Sequence, residues 1–125
     1  MKARIAIATL LASSAHAADF DARVDAAATL ARSRIGGPYM ALLFPTYMHA
    51  MEVCEPSGPA TEGESKFFTF VADVAPDGSV LSTEVLPRSK YALCFADQVR
   101  MQKAPLPPKV NLDRYPISID IGVKP

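Results

Sequence analysis

Apolar and polar positions alternate most sharply between Ser65 and Leu86. Phe68, Phe70, Ala72 and Val74 interleave with Phe67, Thr69, Val71 and Asp73, and Val80 to Leu86 is again rich in β-branched residues. Both runs are predicted strands. Between them, Ala75-Pro76-Asp77-Gly78-Ser79 offers a proline that fixes φ, an aspartate that bonds its own backbone, and a glycine free to take positive φ. The two strands therefore form a hairpin. A lone hairpin is marginal in water, so at least one more strand and a covering layer must come from elsewhere. Tyr115 to Val123 supplies the strand: Ile117, Ile119, Ile121 and Val123 fall on one side, Ser118, Asp120 and Gly122 on the other.

The cover comes from segments with helical spacing. From Asp19 to Ile35, Phe20, Val24, Ala27, Ala31 and Ile35 recur at steps of three and four, and Gly36-Gly37-Pro38 is read as the stop. Tyr39 to Val53 repeats the pattern, but Pro45 removes a donor and disfavours helix at Phe44, which predicts a broken or kinked helix whose later part runs from about Pro45 to Cys54. Glu55 to Glu64 is a loop by its Pro and Gly content. Ser89 is a fair cap for a helix over Lys90 to Lys103, with Tyr91, Leu93 or Cys94, Val99 and Met101 as its apolar members. Ala104 to Pro108 is predicted to run extended. The order gives an α+β class: two layers, a three-stranded antiparallel sheet with strands near 66–74, 80–86 and 115–123, packed by helices and preceded by two helical segments. The 125 residues allow one such domain, 18–125, with a helical part at 18–54 and the sheet and its helix at 64–123.

The first 17 residues alter that picture. Lys2 and Arg4, the apolar run Ile5 to Ala12, and Ala15-His16-Ala17 read as a cleaved signal peptide at 1–17, too short to span a bilayer. Export to the periplasm is the expectation, with no membrane span left after cleavage. Loss of Lys2 and Arg4 would shift the balance of 13 basic and 13 acidic residues to −2, which speaks against a nucleic-acid partner. His49 would then be the sole histidine, excluding sites that need two imidazoles from one chain. Cys54 and Cys94, the only cysteines, are expected to pair as a disulfide in an oxidising compartment.

Taken together, Glu62-Gly63, the strand FFTFVADV, Pro76-Asp77-Gly78 with Val80, Val85-Leu86, Phe95-Ala96-Asp97-Gln98-Val99, the proline exit and the IxIxI strand resemble the C-terminal domain of the TonB energy-transducer family over about 60 residues. The resemblance implies a non-catalytic periplasmic module without a cofactor, which grips an extended segment of a protein partner by strand pairing. Carried over, the gripping edge falls on Ile117, Ser118, Ile119, Asp120 and Ile121, with Ser118 and Asp120 facing away from the core. The chain has no Trp, transmembrane helix or long Pro-rich spacer, so the resemblance extends to binding and not to energy transduction.

Other chemistry carries less. Met40, Met48, His49, Met51 and Cys54 include donors suited to Cu(I), and Met48, His49 and Met51 are the copper alternative. Phe44, Met48 and Met51 also form a single stripe, which favours a core-facing helix face and leaves no metal expected. No nucleophile motif accompanies His49, and Glu52 with Glu55 reads as a solvated pair, so no catalytic set is expected. Protein binding is the leading function, by the edge or the Glu55–Glu64 loop, in a monomer or weak homodimer. Inhibition of a toxic or lytic periplasmic enzyme, as an immunity protein, is the alternative within the same class.

Overall fold

A computed structural model describes residues 19–55 and 67–122. The signal peptide at 1–17, nearly all of the Glu55–Glu64 loop, and Val123 lie outside the described residues. The chain runs α1 (19–31), α2 (Gly36–Cys54), β1 (Phe68–Val74), β2 (Val80–Leu86), α3 (Lys90–Arg100) and β3 (Tyr115–Ile121). The three strands form an antiparallel sheet in the order β2-β1-β3. The fold is α+β, as the periodicities indicate.

The hairpin turn closes as its residues require. Gly78 takes φ +88°, its amide donates to the Ala75 carbonyl, and the Ser79 amide donates to the Asp77 carboxylate. A Cβ at Gly78 would stand 2.5 Å from the Ala104 carbonyl oxygen, so the crossing chain also demands glycine here.

On one sheet face, Phe68, Phe70, Ala72 and Val74 meet α2 and α3 in an aromatic core. Phe95 is its hub, with ring centroids 5.2 Å from Phe68, 5.3 Å from Phe70 and 6.0 Å from Tyr47. Such ring pairs add about 0.5–1.5 kcal/mol each beyond their burial. The inner face of α3 is Tyr91, Ala92, Phe95, Ala96 and Val99, whereas Leu93 and Met101 point outward. Tyr91 and Val99 are inside as the sequence reads and Cys94 is half-buried, but Leu93 and Met101 are not: Phe95 fills the core between Tyr91 and Val99 instead. Ser89 caps α3 through its hydroxyl, which accepts from the Ala92 amide.

Two boundaries also differ from expectation. The first helix stops at residue 31, where the Ser33 hydroxyl accepts from the Gly36 amide, and Gly36-Gly37-Pro38 opens α2 instead of ending α1. A proline in the first turn costs a helix no bond. Gly36 is needed because a Cβ would strike the Leu30 carbonyl. Pro45 does not break α2, which continues through it. Pro45 lies on the exposed side, as does Ala41, whose carbonyl the proline leaves without its helical donor, while Tyr39, Leu43, Tyr47, Ala50 and Cys54 anchor the opposite face in the core.

While α2 and α3 cover one face, α1 reaches the other. Arg23 of α1 donates to the Glu84 carboxylate at 2.6 Å and to the Ser82 carbonyl at 2.6 Å, and lies 3.7 Å from Asp73. Glu84 is the cross-strand partner of Val71, which is fully buried yet lies outside the aromatic core. Phe20 and Ala27 of α1 are likewise buried outside that core.

Candidate partner-binding edge

All seven residues of β3 pair with β1, from Val74↔Tyr115 to Phe68↔Ile121. Tyr115, Ile117 and Ile121 are buried and Ile119 is half-buried, because period-two alternation aims them at the aromatic core. Ser118 and Asp120 take the other face. Asp120 accepts a 2.7 Å bond from the Thr69 hydroxyl across the ladder. Since β3 is the end strand, its outer side has no strand partner among the described residues.

Pro116 informs the geometry of that outer side. A proline has no N–H to give a ladder, so it suits a position whose amide looks away from β1. Alternation carries Ser118 and Asp120 to the same outward-looking set. Native edges are commonly shielded by charges, prolines, bulges or covering loops; β3 carries Pro116 near its start and Asp120 near its end, but no lysine and no register shift against β1, so its middle at Ile117 to Ile119 is left plain. The opposite edge differs, because β2 carries a bulge where Ser82 and Thr83 face Ala72, and Ser82 adopts φ +53°.

Where β3 begins, a depression of about 220 Å³ is lined by Val74, Pro76, Leu106, Pro108, Val110 and Tyr115, with Lys109 and Asp113 supplying its charges. The 105–108 segment is held in place by the Tyr39 hydroxyl, which donates to the Pro105 carbonyl at 2.7 Å. The depression suits an apolar side chain. The extended run expected over Ala104 to Pro108 carries no sign of this wall in the sequence, since only the crossing beside Gly78 brings it against Val74 and Tyr115.

Tyr39 and Tyr115 meet edge to face at 5.2 Å. Burial, and then the charge of Tyr115, pushes the Tyr39 phenol up to about 12. Burial also raises Tyr47, Tyr91 and Tyr115, so none of these hydroxyls is a ready base near neutrality.

Cys54 and Cys94 form a disulfide with Cα atoms 5.8 Å apart. It ties the end of α2 to α3 and closes a loop of separation 40, worth about 4 kcal/mol in the chain-entropy model. This bond removes Cys54 from the copper alternative. On α2, Met48 and His49 are about 100° apart around the axis and Met51 lies farther still from His49, so the three do not converge. Among the described residues no cluster of three His, Cys, Asp or Glu side chains is placed to hold a metal. The Phe44–Met48–Met51 stripe is not the core face either: Phe44 is 58% exposed and Met48 37%. The core stripe lies on the neighbouring side, because Tyr39, Leu43 and Tyr47 bury more ring and side-chain surface.

No helix among the described residues is long and apolar enough to cross a membrane. Comparison with protein-family models, curated proteins and solved structures returned no match.

Proposed function

We propose that this chain is an exported, non-catalytic binding module that takes up an extended segment of a protein partner along the outer side of β3. The observation that carries the reading is the position of β3: seven residues fully paired on one side and, among the described residues, without a strand on the other. Main-chain bonds to an added strand would supply affinity, and the depression beside Tyr115 would supply selectivity by accepting one apolar side chain of that segment. The resemblance to the TonB C-terminal domain supports the same mode through the order of its elements. The Cys54–Cys94 bond fits an oxidising compartment such as the periplasm.

The test is selection from a displayed library of extended peptide segments, followed by affinity measurement with Ser118→Pro. An outward amide at Ser118 makes this substitution tolerable to the sheet and fatal to an added strand. Binding should fall about 10-fold or more, equivalent to about 1.4 kcal/mol, at unchanged far-ultraviolet circular dichroism. Selected peptides whose affinity ignores Ser118→Pro would remove the edge from the account.

A further inference from the structure

The outer face of α2 is the least expected surface of the molecule. A helix lying on a domain normally turns charged and polar residues to water. Between Gly36 and Cys54 the only Asp, Glu, Lys or Arg is Glu52, and Phe44 and Met48 are 58% and 37% exposed, while Leu42, His49 and Val53 are exposed on the other flank of the helix. Gly37, Ala41, Phe44 and Met48, spaced by four, three and four, thus form a second apolar stripe beside the one that faces the aromatic core.

Charge sits only at the two ends of this stripe. Arg32 and Arg34 are exposed just before α2, and Glu52 is exposed in its last turn, followed by Glu55. A parallel copy would set like charges together; an antiparallel copy sets each arginine pair against the partner's carboxylates. Phe44 lies close to the middle of this span, near where a twofold axis would pass. Gly37 leaves a notch on the same side, since a Cβ there would meet only the Ala31 carbonyl at 3.7 Å. The fold itself does not require glycine at that place.

We infer that α2 is the interface of an antiparallel, twofold homodimer, centred on Phe44 with Met48 of each copy packing toward the partner's Gly37, and closed at both ends by Arg34 against the partner's Glu52. A twofold contact needs one self-complementary patch, and this helix carries one. At about 28 Å in length, α2 is long enough for a helix-pair interface. The surface is separate from the β3 edge, so this interface stands or falls independently of partner binding.

Sedimentation velocity of the purified full chain, over a range of concentrations, tests the inference. The wild type should shift from monomer to dimer with rising concentration. Phe44→Glu should weaken the dimer about 100-fold, because it places a charge at the buried centre. Arg34→Glu and Glu52→Arg should each weaken it, and the double exchange should restore it, a rescue that no misfolded variant would produce. A wild type that stays monomeric throughout would overturn the inference and assign the stripe to another occupant. A dimer indifferent to Phe44→Glu, or charge exchanges without rescue, would overturn it equally.

Discussion

Ser82 shows how one residue's backbone sets a larger arrangement. Its φ of +53° is a left-handed conformation that costs a residue with a Cβ about 1–2 kcal/mol. That conformation belongs to the bulge in β2, and the Ser82 carbonyl accepts from Arg23 of α1. Ser82→Gly should therefore leave stability unchanged or raise it by up to about 1 kcal/mol, the relief being partly offset by glycine's greater freedom when unfolded. Ser82→Val should lower it by about 1–2 kcal/mol. Urea unfolding of the two variants measures both, and a destabilised glycine variant would show that the side chain matters more than the backbone. Nothing in Val80–Leu86 announces this bulge, because the residue that bears it is not glycine or asparagine.

The tyrosines give a residue-scale pH dependence. Tyr39 titrates at about 12 in the fold against about 10 in an unfolded chain. A raised folded value favours the protonated form, so this contribution to stability is complete below pH 10 and is lost as pH rises towards 12. Ultraviolet titration should show delayed phenolate formation while the protein is folded, then cooperative unfolding. Tyrosines that all ionise near pH 10 with the fold intact would contradict the burial described.

Among the elements, α1 depends most on a few contacts. Its grip on the sheet passes through Arg23, whose side chain is 15% exposed and which is bonded to Glu84 and Ser82. Arg23→Ala removes the bonds to the Glu84 carboxylate and the Ser82 carbonyl, and should cost about 1–3 kcal/mol. Hydrogen exchange should quicken in 19–31 before it does in β1. Unchanged exchange in 19–31 would mean that α1 is held by its apolar residues alone. The helices were legible as periodicities but their ends and faces were not. Pro45 predicts a break when read locally, yet the anchored face from Tyr39 to Cys54 carries the helix through it. Leu93 and Met101 look as apolar as Phe95, and only packing against Phe68 and Phe70 decides which is inside.

At the scale of the whole molecule, the hairpin, the third strand and the disulfide were all readable, because alternation, turn chemistry and a single cysteine pair leave few arrangements open. The position of β3 at the sheet's end was not fixed by pattern. It follows from β1 being buried on both faces, with Val71 buried on the side that Arg23 of α1 reaches and Phe70 against Phe95, and from its pairing with both β2 and β3. The depression at the start of β3 arises from chain crossings that no local motif encodes.

The measurement that tests the central claim most directly is a residue-by-residue map of amide protection with and without a selected extended peptide. Partner-strand addition along β3 predicts new protection at Ser118 and Asp120, with α2 and α3 unchanged. Protection appearing on α2, with the β3 amides exchanging as before, would contradict the edge as the binding surface.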